Sequence, residues 1–194
     1  MTSSIWLRGM IVPALLAGSY LTSVTAADAA NWKLDPAKSQ LGFSGTQTGA
    51  AFAGKFKDYT AAIAFDPANL AASHITITVD LASAVTGDTQ RDTALPGQDW
   101  FDVAKFPQAV FQTTRITKAG PNEYDAVGSL SLRGVSKPLT LPFTLQIDGA
   151  MAHAVGHVNL VRTDFGVGQG AWASGQWVAL AVAVDFNIVA TKGN

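Results

Sequence analysis

Strict alternation of apolar and polar residues is the feature that most constrains the fold of this chain. It is clearest at 75–81, 139–147 and 178–188. A period of two places every second side chain on one face and is typical of half-buried β-strands. Many short strands at this spacing predict an all-β sandwich or barrel. Further strands are predicted at 32–34, 39–45, 51–56, 60–66, 108–117, 123–133 and 153–163.

One segment, 86–107, lacks this alternation and carries Asp, Gln, Arg and Ala residues. It predicts a long connection with one or two short helical turns. Pro96 and Gly97 interrupt these turns, because proline removes a backbone donor and glycine favours turns.

The last alternating run bears on the choice between sandwich and barrel. Its second face consists of Ala179, Ala181 and Ala183, so one face carries very small side chains. A strand with bulk on one side and alanine on the other can leave unfilled space beside it, which favours a hollow barrel. Close packing of the alanine face against a helix or a neighbouring strand explains the pattern equally well, and periodicity does not separate the two.

The first thirty residues differ in composition from the rest. A basic residue precedes an apolar stretch at 10–21, and small residues follow it. This pattern predicts a signal peptide at 1–26, with cleavage after Ala26 or Ala29. We therefore expect an exported protein whose single domain spans 30–192.

Composition excludes several classes of function. The absence of cysteine excludes disulfides, thiolate catalysis and zinc–thiolate sites. The 13 Lys and Arg residues are scattered and balanced by 14 Asp and Glu, so we expect no nucleic-acid partner. Charged residues make up 14% of the chain and hydrophobic residues 48%, which indicates more apolar surface to place than usual.

Polar groups that support catalysis are few. The histidines are His74, His153 and His157, and the single glutamate is Glu123. His153 and His157 share a strand face and could meet a metal together with Asp164. Along a strand, however, they lie roughly 13 Å apart, too far to share one ion without a bend. We therefore expect no metal site, no cofactor and no enzymatic activity.

Several ordered segments carry a resemblance to a known family. The segments are 34–39, 52–56, 77–83, 90–95, 99–107, 128–139 and 162–167. In this order and spacing they resemble the YceI-like family of periplasmic lipid-binding proteins, over nearly all of the chain after the predicted signal peptide. The resemblance implies an extended antiparallel β-barrel of about eight strands, lipocalin-like in shape, with an elongated apolar tunnel. It also implies a periplasmic location and a polyisoprenoid, isoprenoid quinone or fatty amide as ligand.

Two positions depart from the family pattern. Ala94 stands where the family usually has a histidine before Leu95, and Pro96 follows. The segment 47–49 replaces a glycine-histidine pair often found near the first strand. We therefore expect a ligand whose head group and chain length differ from those of the family pattern.

The ligand site is predicted at inward-facing apolar side chains. The expected lining is Phe43, Phe52, Phe56, Phe65, Ile77, Phe111, Leu130, Leu132, Phe143, Leu180 and Phe186. Aromatic residues in strands are core residues more often than ligand contacts, so core packing is the alternative for each. A polar head group is expected near Arg91, Asp92 or Arg162, although each also suits a local salt bridge that fixes a loop.

Two functions suit this pattern. The first is storage or transport of a long apolar lipid in the barrel interior. The alternative is an interaction module that docks on a membrane redox protein such as a b561-type cytochrome, since the resemblance implies that some members accompany such cytochromes. Aromatic loops around Trp172 and Trp177 suit that contact. Pairing of edge strands in an incompletely closed barrel would give a homodimer.

Overall fold

The computed structural model describes residues 29–193, and the predicted signal peptide lies outside them. The strands are β1 (Asn31–Leu34), β2 (Gln40–Gln47), β3 (Ala50–Phe56), β4 (Tyr59–Ala64), β5 (His74–Asp80), β6 (Ala84–Val85), β7 (Gln108–Lys118), β8 (Glu123–Leu132), β9 (Val135–Asp148), β10 (Met151–Val161) and β11 (Ala181–Lys192). One helix, α1, spans Thr89–Ala94, and short 3₁₀ turns lie at Leu70–Ala72, Leu81–Ser83, Arg162–Phe165 and Gly170–Trp172.

The strands form a closed antiparallel barrel with eight wall segments, which we call staves. Three of the staves are bent, and each of these consists of two consecutive strands. β1 and β2 pair with successive parts of β11, and β4 and β3 pair with β1 and β2 in turn. The third bent stave is β5 with β6. Each stave pairs with its neighbours in chain order, and the pairing of β1 with β11 closes the ring. The predicted all-β barrel of about eight strands is confirmed.

One side of the barrel is paired over only part of its length. β9 and β10 pair between Phe143 and Gly156 at one end and Asp148 and Met151 at the other. The next pair in this register would place Pro142 opposite His157, and proline has no N–H to donate to the ladder. The remaining halves, 135–142 and 157–161, form no ladder with each other. We call this gap the seam.

The alanine face of the last strand lies on the outside of the barrel. Ala181 is exposed, and Ala183 stands opposite Ser44 on one side and Asn159 on the other. The hollow lies instead beside the bulky face of β11, which includes Val184 and lines the interior. The predicted hollow barrel is therefore present, but the alanine face does not create it.

The connection between β6 and β7, for which one or two short helical turns are predicted, contains the helix α1. α1 begins after Asp88, whose side chain accepts a hydrogen bond from the Arg91 N–H at 2.9 Å. It ends before Pro96, as the sequence predicts. The rest of the connection lies against the end of the barrel, where the backbone N–H of Gly168 donates to Asp99. No helix among residues 29–193 is long and apolar enough to cross a membrane.

Candidate functional site

The barrel interior holds two adjoining cavities, an inner chamber and an outer chamber. The inner chamber has a volume of about 210 Å³ and is lined from every stave of the barrel. The predicted lining residues that it contains are Phe56, Phe65, Ile77, Phe111, Leu130, Leu132, Phe143 and Phe186. Alternation predicts that these side chains point inwards, and the structure places them on the inner face.

The inner chamber has almost no polar group to offer. Of its lining side chains only Trp32 and Tyr59 carry a polar atom. The Trp32 indole N–H donates to the Phe65 carbonyl at 2.9 Å and is thus satisfied. The Tyr59 hydroxyl is buried without a hydrogen-bond partner, and burial raises the pKa of Tyr59. Such a chamber suits a hydrocarbon chain, because a polar group of a ligand would lose its hydrogen bonds with water on entering it.

The outer chamber, of about 180 Å³, combines aromatic walls with a polar side. Its aromatic residues are Phe43, Phe52, Phe56, Trp100, Phe101, Phe165 and Trp172. Its polar residues are Gln47, Thr86, Gln90, Arg91 and Arg162. Gln90 is exposed and Arg91 is partly exposed, so this side of the chamber faces solvent. We call it the mouth.

Arg91 projects from α1 to the mouth. Its guanidinium donates to the Gln47 side-chain oxygen at 3.1 Å and to the Thr86 hydroxyl at 3.3 Å, and lies 5.0 Å from the centre of the Phe52 ring. Its Nη2 atom lies 3.8 Å from the Asp88 carboxylate, too far for a hydrogen bond. Arg91 is therefore held in place by side chains around the mouth, while N–H groups on Nη2 are free to donate to a ligand.

Asp92, the second predicted head-group residue, lies beside the mouth and does not line the chamber. Its carboxylate accepts from the Thr86 N–H and hydroxyl, both at 2.7 Å, and from the Gly87 N–H at 3.2 Å. These hydrogen bonds, chiefly that of the Thr86 hydroxyl, hold the pKa of Asp92 below its usual range. Asp92 thus fixes the loop at Thr86 and Gly87, which leads into the helix that carries Arg91.

Arg162 lines the outer chamber but has no N–H left for a ligand. It is 4% exposed, and burial lowers its pKa. Its guanidinium donates to the carbonyls of Val167, Gly168, Trp172, Val178 and Ala179 at 2.5–3.2 Å. The centre of the Trp100 ring lies 5.4 Å from it. Arg162 therefore joins three chain segments at the end of the barrel.

Leu180 lies outside both chambers, unlike the other predicted lining residues. Its side chain is 37% exposed and lies near Gly175. The chain bends at Leu180 before β11 begins, so the alternation of the sequence is interrupted in space. Val178 and Val182, on either side, line the outer chamber instead. Leu180 is thus a correction to the predicted lining.

The histidines of the predicted metal alternative bind different partners on the outer surface. His153 contacts the Asn187 side chain at 2.8 Å, and His157 contacts the Asp185 carboxylate at 2.7 Å. Asp164 pairs with Lys137 at 3.4 Å. Within residues 29–193, no three His, Asp or Glu side chains are grouped closely enough to hold a metal ion.

The predicted lining omits the residues that come from the long loops at the end of the barrel. Trp100 and Phe101 belong to the connection after α1, and Trp172 belongs to the loop before β11. A loop has no periodicity from which the direction of a side chain can be inferred. The signal that was available is the segment 99–107, which carries part of the family resemblance.

Comparisons with known proteins agree with this geometry. The model of the YceI-like domain matches residues 32–190. A UPF0312 protein of Photorhabdus laumondii is 36% identical over 138 residues, which is 70% of this chain and 71% of that protein. The protein YceI of Escherichia coli is 42% identical over 88 residues, covering 45% of this chain and 46% of its own length.

Solved structures share the barrel. Burkholderia cenocepacia BcnA superposes with a TM-score of 0.79 at 35% identity, over 81% of this chain and 99% of BcnA. A polyisoprenoid binding domain from Saccharophagus degradans superposes with a TM-score of 0.66 at 16% identity, over 84% of this chain and 99% of that domain, and at this identity the likeness concerns the fold alone. From its match over nearly the whole barrel, the chain belongs to the YceI-like domain family.

Proposed function

We propose that this chain is an exported binding protein that holds one long apolar lipid inside the barrel, for storage or transport. The observation that carries the proposal is an almost wholly apolar inner chamber that adjoins an outer chamber with a polar, solvent-facing side. A polyisoprenoid, an isoprenoid quinone or a fatty amide has the matching shape: a long apolar chain with one polar end. The proposed contacts are Phe43, Phe52, Phe56, Phe65, Ile77, Phe111, Leu130, Leu132, Phe143 and Phe186.

Burial of the chain supplies the affinity. Each buried CH₂ contributes about 0.8 kcal/mol, so a five-carbon isoprene unit contributes roughly 3–4 kcal/mol before ordering costs. A few units suffice for tight binding. Because the gain requires no catalytic group, binding agrees with the scarcity of acid–base pairs in the chain.

The head group is assigned to the mouth, where Arg91 is the donor. Its Nη2 N–H groups can donate to a carbonyl or hydroxyl oxygen of the ligand, and the Phe52 ring and Gln47 hold the guanidinium in place. Asp92 supports the head-group site indirectly, because it fixes the loop at Thr86. Arg162 supports it indirectly as well, because it joins three chain segments at the end of the barrel. The polar end of the ligand would then lie near solvent and the tail would lie inside.

Location in the periplasm is part of the proposal. It rests on the charged, apolar and small-residue pattern of residues 1–26. It also agrees with the absence of any thiol, because an oxidising compartment then has no cysteine in this domain to oxidise.

The deciding experiment is mass spectrometry of an organic extract of the protein, purified from a periplasmic fraction without detergent. A stoichiometric polyprenyl, quinone or fatty-amide species is expected. An extract that matches that of an equally treated control protein, followed by no uptake of these lipids by the delipidated barrel, would refute the proposal. Arg91→Ala is expected to lower the occupancy, whereas Arg115→Ala, an exposed arginine on β7, is expected to leave it unchanged.

Docking on a membrane redox protein is the second candidate. Trp177 is 50% exposed on the outer surface, next in sequence to Val178 of the outer chamber, and Val161 and Leu180 are also exposed. Trp172 differs, because it packs against Trp100 with ring centres 5.5 Å apart. If a b561-type cytochrome is the partner, its capture by the wild-type protein should be weakened by Trp177→Ala. Equal capture by both proteins would remove Trp177 from the contact.

A further inference from the structure

The two chambers meet at a ring of five side chains that line both of them. The ring consists of Phe56, Phe101, Leu132, Leu160 and Val184. Four of these residues are on strands of the barrel wall, and Phe101 is not. Any ligand that occupies both chambers must pass through this ring, which we call the constriction.

Phe101 is placed by the connection after α1. Its N–H donates to the Leu95 carbonyl at 3.0 Å, and the next residue, Asp102, has a left-handed φ of 51°. Asp102 in turn donates its N–H to Gly97 at 2.9 Å. These turns project the Phe101 side chain inwards, where it is 8% exposed. Its ring lies 6.2 Å from the Phe56 ring, between centres, across the interior.

The four wall residues and Phe101 differ in how firmly they are held. The backbone of a wall residue can move only with its strand, and each of these strands is hydrogen-bonded to at least one neighbour. The segment that carries Phe101 is held by turn hydrogen bonds and forms no ladder. Within the constriction, Phe101 is therefore the one residue whose backbone can shift without breaking a strand ladder.

We propose that Phe101 determines the length of ligand tail that the barrel accepts. A short tail is accommodated in the outer chamber and leaves the ring in place. A long tail reaches the inner chamber only after the Phe101 ring has moved away from Phe56, so part of its binding energy is spent on that movement. This inference rests on the proposed function, and it identifies one side chain of the site as the determinant of tail length.

The test compares two ubiquinones, one with two and one with nine isoprene units, on the delipidated protein. Binding is followed by quenching of tryptophan fluorescence, because Trp100 and Trp172 line the outer chamber and Trp32 lines the inner one. In Phe101→Leu, the ratio of the affinity for the long-tailed to that for the short-tailed quinone is expected to rise about tenfold, the change that ~1.4 kcal/mol produces.

Matched phenylalanine variants separate the constriction from general loss of contact. Phe165→Leu changes the outer chamber alone and is expected to lower both affinities, with the ratio unchanged. Phe111→Leu changes the inner chamber alone and is expected to lower the ratio. Only a wider constriction raises the ratio. Val184→Ala, which widens the ring from the wall, provides a second variant should Phe101→Leu fail to fold.

The outcomes distinguish this inference from the proposed function. If the wild-type barrel binds both quinones and the ratio stays constant in Phe101→Leu and Val184→Ala, the proposed role of Phe101 is refuted and the binding function stands. If the wild-type barrel binds neither quinone nor any polyprenol or fatty amide, the proposed function fails, and the inference fails with it. A rise in the ratio in Phe101→Leu supports both.

Discussion

Single polar atoms in the interior have measurable effects on the stability of the barrel. The Tyr59 hydroxyl is buried against the inner chamber without a partner, and an unsatisfied buried polar group costs about 1–3 kcal/mol. We therefore expect Tyr59→Phe to raise the free energy of unfolding of the ligand-free protein by about 1 kcal/mol, measured by urea denaturation. A loss of stability would mean that the hydroxyl has a partner, such as a bound water molecule.

Substitution of Arg162 is expected to have the opposite effect, a loss of stability. A lysine in its place has three donors for five carbonyl groups and lacks the planar arrangement that reaches them. Arg162→Lys is expected to lower the free energy of unfolding by at least about 2 kcal/mol, because buried carbonyls lose their partners. Arg91→Lys, at a partly exposed site, is the matched control and should cost less than ~1 kcal/mol. Equal effects would refute the structural role of Arg162.

Among the structural elements, the seam depends on Pro142, which has no backbone N–H to donate to a strand ladder. Pro142 would face His157 if the ladder between β9 and β10 continued. Pro142→Thr supplies an N–H and is expected to extend the pairing, so amide hydrogen exchange within 157–161 should slow several-fold. Exchange at 151–156, where the ladder already exists, is the internal control and should not change. An unchanged rate at 157–161 would mean that another contact keeps the strands apart.

The loop before α1 carries the pH dependence of the mouth. Hydrogen bonds from Thr86 and Gly87 lower the pKa of Asp92 in the folded protein, so their stabilising effect is complete above the unfolded value of about 3.9. It is lost as the pH falls through the lower folded value. The Thr86 amide resonance should therefore titrate below pH ~3.9 in the wild-type protein. In Asp92→Asn this titration should be absent, and its persistence would assign it to another carboxylate.

The strands were predictable from the sequence wherever apolar and polar residues alternate regularly. Alternation located the strands and, in most of them, the inward face, because side-chain direction follows directly from a period of two. Leu180 was misplaced because a bend interrupts the run to which it belongs. Phe101 was missed because its direction depends on turn hydrogen bonds to Leu95 and Gly97, which follow no period.

At the scale of the whole molecule, the proposed ligand and the barrel wall would form one core. The buried residues divide into two clusters, one around Trp32 and Phe65 and one around Phe43 and Leu81, and a cavity lies within each. A lipid chain that fills both cavities supplies apolar contacts that the ligand-free interior lacks. Binding to the folded state alone must therefore raise the melting temperature.

The size of that rise follows from mass action. At a free ligand concentration of about one hundred times Kd, the folded state gains about 2.7 kcal/mol, which corresponds to a rise in Tm of roughly 5–10 °C for a domain of this size. Differential scanning calorimetry of the delipidated protein with and without the long-tailed ubiquinone measures it. Arg91→Ala should reduce the rise at a fixed ligand concentration and leave the Tm of the ligand-free protein nearly unchanged, because this partly exposed side chain adds affinity at the mouth and little to the fold. An equal rise in both proteins would place the head group away from Arg91 while leaving the tail inside the barrel.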